Sequence, residues 1–134
     1  MRRQIKIDGR EIGGNCRPYI IAEMSANHNG NIDTAFSIID KAKQAGADAI
    51  KIQTYRADTI TLKSDLPDFQ IKDGLWAGRT LYDLYEWAQT PWEWHAPLFD
   101  YARKSGITIF SSPFDSTAVD LLEDLNAPAY KIAS

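Results

Sequence analysis

Between Pro18 and Gln53 the chain reads as a strand, a helix and a second strand, and this unit limits its possible folds more than any other feature. Tyr19-Ile20-Ile21-Ala22-Glu23 is apolar on both faces up to its glutamate, the pattern of a parallel strand covered on both sides. A polar loop, Asn27-His28-Asn29-Gly30, follows. From Asp33 to Ala45, Phe36, Ile39 and Lys43 recur at helical spacing with Ile38, Ala42 and Ala45, and Gly46 supplies the stop. Asp48-Ala49-Ile50-Lys51-Ile52-Gln53 is the second strand. A unit of this kind joins parallel strands through a right-handed crossover.

The alternation continues to the end of the chain. Thr90-Pro91-Trp92-Glu93 combines a capping threonine, proline at the first helical position and glutamate three residues after the cap, predicting a helix through about Lys104. Gly106 closes it, and Ile107-Thr108-Ile109-Phe110 is a third strand. Asp115 or Ser116 then caps a helix with an apolar stripe of Ala118, Val119, Leu121, Leu122 and Leu125, ended by Asn126. Ala129 to Ser134 reads as a fourth strand, in which Lys131 repeats the place of Lys51. Strands alternating with helices predict an α/β fold with a parallel sheet, either doubly wound or a (β/α)8 barrel. No glycine-rich phosphate loop follows the first strand, which argues against a dinucleotide-binding fold. Ahead of the sheet, Ile5-Lys6-Ile7 and Arg10-Glu11-Ile12 flank Asp8-Gly9, a two-residue hairpin signal. The expected organisation is therefore a β-hairpin over residues 1–17 and an α/β unit over 18–134. Thr54 to Gln89 interrupts that unit, and so long an insertion at a strand end is more often functional than idle.

Composition narrows the partners. Fifteen Lys and Arg against eighteen Asp and Glu give a net charge of −3 with no basic block, so neither nucleic acid nor a membrane surface is expected. Met1-Arg2-Arg3 runs directly into polar Gln4-Ile5-Lys6-Ile7 without the apolar region of a signal peptide. Cys16 is the single cysteine and has no internal disulfide partner, which fits a cytoplasmic protein; it reads as an ordinary small residue.

The chemistry concentrates at strand ends. A mid-strand lysine in a covered sheet is costly, because an unpaired buried ammonium loses several kcal/mol of hydration. Lys51 lies between Ile50 and Ile52, and Lys131 between Tyr130 and Ile132, so alternation turns both lysines to the face opposite the helices, toward a barrel interior. A bound polyanion would offset the cost. Glu23 ends the first strand, Gln53 the second, Ser111 and Ser112 the third, and Ser134 the fourth. In a (β/α)8 enzyme these C-terminal ends form the active-site face, and two lysines with several hydroxyls there suit a phosphorylated acid. Glu23 could equally be a salt-bridge partner of a lysine. His28 reads as a hydrogen-bonded loop histidine, and with His95 alone elsewhere no two-histidine metal spacing exists. Trp76, Tyr82, Tyr85, Trp87, Trp92 and Trp94 either stack on a sugar or pack the long loop down.

Four stretches together resemble the sialic acid synthase family over nearly the whole chain: Ile20 to Gly30, Ala45 to Thr54, Phe110-Ser111-Ser112-Pro113-Phe114-Asp115, and Tyr130 to Ser134. Within it, Ser-Ala-Asn-His-Asn-Gly, Lys-Ile-Gln-Thr-Tyr, Gly-Leu-Trp-Ala-Gly and Thr-Pro-Trp-Glu-Trp-His are most similar to its pseudaminic acid branch. The resemblance implies the first half of a (β/α)8 barrel, with the remaining barrel and a C-terminal antifreeze-like domain lying outside this segment. It implies a homodimer in which that small domain reaches the partner's active site, and a divalent metal, usually Mn2+, held by two histidines beyond residue 134. Carried over by position, Lys51, Ser112, Lys131 and Ser134 match residues that bind phosphoenolpyruvate (PEP). Glu23 and Gln53 match the sugar end of the pocket, with Glu23 also a candidate proton shuttle. Ser112 stands where the sialic branch of the family often has threonine, a change that keeps the hydroxyl.

The implied reaction condenses PEP with 2,4-diacetamido-2,4,6-trideoxy-L-altrose for surface glycan or flagellin glycosylation. C3 of PEP attacks the open-chain aldehyde, water adds at C2, and the intermediate expels phosphate with carbon–oxygen cleavage. Lysines and hydroxyls would hold the carboxylate and phosphate, and the metal would polarise the aldehyde. The alternatives are a sister synthase making sialic or legionaminic acid, and a non-catalytic sugar or phosphate binder built on half a barrel.

Overall fold

The computed structural model describes residues 3–133. The hairpin forms where the Asp-Gly signal places it: β1 (Ile5–Ile7) pairs antiparallel with β2 (Arg10–Ile12). Asp8 and Gly9 take φ of 50° and 81°, the two successive positive values that let a two-residue turn follow the strand twist. The ribbon is not free. Asp8 accepts a bond of 2.9 Å from the Thr108 hydroxyl, and Arg10 and Arg17 both pair with Asp48 at the start of the second parallel strand. The Ile20 amide bonds the same carboxylate at 2.8 Å, and that amide together with Arg10 and Arg17 holds the Asp48 carboxyl well below the usual carboxylate range.

The main sheet has three parallel strands in the order β3 (Ile21–Glu23), β4 (Ala49–Thr54) and β5 (Thr108–Pro113). Three helices cover one face: α1 (Ile32–Gln44), α4 (His95–Ser105) and α5 (Ser116–Asp124). Their apolar stripes meet the sheet in one core of Ile39, Ile50, Ile52, Leu98, Phe99, Ile109 and Leu122. Each such side chain contributes about 1.5–3 kcal/mol through burial. Helices on one face only, with parallel strands following one another in chain order, is the layout of a barrel segment; a doubly wound sheet carries helices on both faces. The fold is thus α/β, a partial (β/α) barrel with a small antiparallel hairpin.

Local chemistry sets the element ends. Asn31 caps α1 by accepting from the Asp33 and Thr34 amides, and Asp115 caps α5 through the Thr117 and Ala118 amides. Gly106 ends α4 in the left-handed region, at φ 77°. Within the long insertion lie α2 (Ala57–Ile60), a 3-10 turn (Pro67–Phe69) and α3 (Leu81–Ala88).

Three expectations need correction. Thr90 is not a helix cap: the helical stretch opens with a 3-10 turn, Trp92–Trp94, that runs into α4, and the buried Thr90 hydroxyl has no hydrogen-bond partner. β5 runs beyond Phe110 to Pro113 because the chain keeps register with all of β4. The segment 129–133 forms no strand. Its backbone is attached by a parallel bridge between Ser111 and Tyr130 and by a 3.1 Å bond from the Lys131 amide to the Ser111 carbonyl, and Tyr130 packs on the core and donates its hydroxyl to Glu123; among the described residues no strand pairs its other side.

Candidate active site

The register of the parallel strands builds the site. Glu23 pairs with Lys51 and Lys51 with Phe110, while Gln53 pairs with Ser112, so these five side chains share the face that the helices leave bare. Lys51 is 8% exposed, and its Nζ lies 3.1 Å from Glu23 Oε1, whose side chain remains 58% exposed. The cation is enclosed and its counterion reaches outward. An enclosed ammonium with one partly hydrated carboxylate has unused hydrogen-bonding capacity, which an anionic ligand can take up. Ser112 is buried and Gln53 half-buried at the C-terminal strand ends beside this pair.

Lys131 is placed differently. Its backbone is fastened to β5, but its side chain is exposed, so the two lysines are not enclosed alike. Ser134 lies outside the described residues. Ser111, which shares the strand end with Ser112, turns to the helix side, where its Oγ lies 3.1 Å from the Ile52 carbonyl, so its hydroxyl does not face the site. Cys16 is a free, half-buried thiol in the segment after the hairpin.

His28 is 1% exposed; its Nδ1 accepts from the Gly30 amide at 3.0 Å, and its ring meets Trp94 edge-on at 5.2 Å. Burial pushes its pKa down, opposed in part by the nearby Ala88 carbonyl. His95 is fully buried and likewise pushed down by burial. Its Nε2 lies 2.9 Å from Thr54 Oγ1, which lies 2.5 Å from Ser111 Oγ. Sequence reasoning missed this cluster. The available signal was the register of Thr54, which alternation puts on the helix side with Ile50 and Ile52. Among the described residues no three His, Cys, Asp or Glu side chains converge to hold a metal; both ring nitrogens of His95 are engaged inside the core, and His28 is bonded through Nδ1 while its buried Nε2 stands without a hydrogen-bond partner or a second ligand beside it. These residues do not fit the divalent ion that the resemblance implies.

The long insertion rises from the same strand ends. Tyr55 is 4% exposed, edge-on to Tyr85 at 5.8 Å and Phe114 at 5.3 Å, and burial pushes its phenol up to about 12. Arg56 stacks 3.8 Å over Trp92, which adds a second tether. Trp76 and Trp87 pack on each other at 5.0 Å and stay partly exposed. A cavity of about 360 Å³ lined by Asp8, Arg103, Thr108 and Asn126 lies at the opposite end of the strands, away from the catalytic face of such barrels.

Comparison with known proteins bears on the family and the fold. The chain is 56% identical over 116 residues to a pseudaminic acid synthase from Campylobacter jejuni and 51% identical over 117 residues to one from Helicobacter pylori. Each match covers 87% of this chain and 34% of the relative, so the chain spans about a third of the length of these proteins. Among solved structures, an N-acetylneuraminic acid synthetase from Leptospira borgpetersenii, crystallised with citrate, superimposes with a TM-score of 0.80 at 27% identity. That match covers 98% of this chain and 41% of the other. The model of the NeuB family matches residues 38–134, which include β4, β5 and every helix after α1 as well as part of α1 itself. By that match and by its fold, the chain belongs to the NeuB family.

Proposed function

We propose that the protein to which this chain belongs is a pseudaminic acid synthase, condensing PEP with 2,4-diacetamido-2,4,6-trideoxy-L-altrose and releasing phosphate. The observation that carries this reading is the enclosed Lys51 on the bare face of the sheet, 3.1 Å from Glu23, with Ser112 and Gln53 beside it. Lys51 supplies a fixed positive charge to the PEP phosphate or carboxylate, and the Ser112 hydroxyl adds a directional bond. Lys131 and Ser134 complete the PEP subsite when further strands cover the open edge. Glu23, outermost of the set, faces the sugar with Gln53 and either orients its hydroxyls or passes a proton. The choice of sugar rests on the 51–56% identity to two pseudaminic acid synthases.

The remaining assignments belong to the same reading. The hairpin over residues 1–17 precedes barrel residues 18–134. The enzyme acts as a cytoplasmic homodimer, and any divalent metal is held by residues outside this segment. Among the described residues, no helix is long and apolar enough to cross a membrane. The test is to incubate the complete enzyme with PEP and, in turn, the diacetamido-trideoxyhexose, N-acetylmannosamine and the legionaminic precursor. Phosphate release and product mass are then measured. Release with the first sugar is expected. Release only with another sugar would move the protein to a sister branch, and tight PEP binding without release would make it a binder.

A further inference from the structure

Behind the candidate site, the helix-side residues Thr54, His95 and Ser111 form a closed hydrogen-bonded chain, each of them 2% exposed or less. Its proton order can be derived. His95 Nδ1 faces the carbonyls of Pro91 and Trp92, both at 3.1 Å, and carbonyls only accept, so Nδ1 carries the proton. The ring is neutral under ordinary conditions, as its burial favours, so Nε2 must accept. Thr54 then donates to Nε2 and accepts from Ser111, whose Oγ is nearer to Thr54 Oγ1, at 2.5 Å, than to the Ile52 carbonyl, at 3.1 Å.

The backbones of these residues run to the site. Thr54 directly follows Gln53, and Ser111 directly precedes Ser112. The Ser111 carbonyl accepts the Lys131 amide at 3.1 Å, and the Thr54 carbonyl accepts the Phe114 amide at 3.3 Å. The two hydroxyls therefore tie β4 to β5 at the point where three site-bearing segments meet, and the imidazole ties both to the start of α4.

We propose that His95 is a positioning residue for the condensation, acting through Thr54 and Ser111 to fix the places of Gln53, Ser112 and Lys131. The inference rests on the function proposed above, because it needs those three residues to meet substrate. Thr54→Val keeps the shape and β-branching but removes the relay hydroxyl, while Thr54→Ser keeps the hydroxyl. In the complete enzyme, Thr54→Val and Ser111→Ala should each lower kcat/KM for PEP by about tenfold or more, as small displacements in a preorganised site do. Thr54→Ser should stay within about threefold. The double variant carrying both Thr54→Val and Ser111→Ala should be little worse than either alone, since one chain is cut in each case.

Amide hydrogen exchange gives a readout that does not depend on turnover. Exchange at Lys131 and Phe114 should be faster with Thr54→Val than with Thr54→Ser. Kinetic constants and exchange both unchanged by Thr54→Val, with only a lower melting temperature, would overturn the proposal and leave the cluster a packing feature. If the unaltered enzyme releases no phosphate with any sugar, the proposed function fails instead, and the exchange comparison alone decides whether the cluster fixes these segments.

Discussion

At the scale of single residues, enclosure separates Lys51 from the other candidates. Removing an ammonium that binds an anion in a closed pocket leaves the anion unpaired, at a cost of about 2–4 kcal/mol in transition-state stabilisation. Lys51→Ala, and Lys131→Ala once its strand is completed, should therefore each raise the Michaelis constant for PEP strongly in the complete enzyme. Near-normal steady-state kinetics in both would remove the PEP assignment. Cys16→Ser should leave turnover within about threefold, because the thiol is a free, half-buried group in the segment after the hairpin and has no role in the proposed site. The two histidines give a prediction of stability against pH. Burial holds both below the ordinary value of 6.5, so an unfolded chain takes up protons as the pH falls through that value while the folded chain does not. Their contribution is complete above about pH 6.5 and is lost as the pH falls through the folded values. Urea midpoints at about pH 7.5 and 5.5 should show the loss, and it should shrink in His28→Gln. Equal midpoints would mean that neither ring is held neutral.

At the scale of elements, caps and clamps define where segments begin. Asn31→Ala removes the acceptor for two orphan amides of α1 and should cost about 1 kcal/mol, read from denaturant unfolding. Asp48→Asn should cost about 1–3 kcal/mol, since it weakens charge-assisted bonds from Arg10, Arg17 and the Ile20 amide and loosens the hairpin from the sheet. Unchanged stability in that variant would show that the Asp48 clamp does not hold the ribbon and that its other ties, the bond from Thr108 to Asp8 among them, suffice. These elements also show what a sequence can disclose. The hairpin, the first strand-helix-strand unit and the Asp115 cap were legible because each is written in adjacent residues. The faces of Glu23, Lys51 and Gln53 were legible too, because alternation needs no partner. Thr90 misled because a side chain caps only if the chain turns immediately after it, and here a proline-led 3-10 turn intervenes. The Thr54, His95 and Ser111 cluster was hidden by sequence separations of 41 and 57 residues, which no local pattern reports.

At the scale of the whole molecule, the sheet has two open edges, and exposed apolar side chains lie along them. Ile20 and Ile21 at β3 are 52% and 41% exposed, and Ile132, past the bridge to β5, is 81% exposed. In a closed barrel both edges are paired and such side chains are covered. A polypeptide of residues 1–134 produced alone should therefore self-associate or remain partly unfolded, and it should not catalyse the condensation. Lys131 would keep its single backbone tie to Ser111 while its side chain stayed hydrated, so charge could not be focused on PEP as the reaction requires. Lys51, enclosed beside Glu23, would meet PEP with one side of the pocket missing. Light scattering should give a mass above that of a 15.1 kDa monomer, or circular dichroism an incomplete unfolding transition. Incubation with PEP, the diacetamido sugar and Mn2+ should release no phosphate. Sugar-dependent release from a monomer of this length would show that three strands and their helices suffice to hold both substrates, and would refute the dependence on a closed barrel.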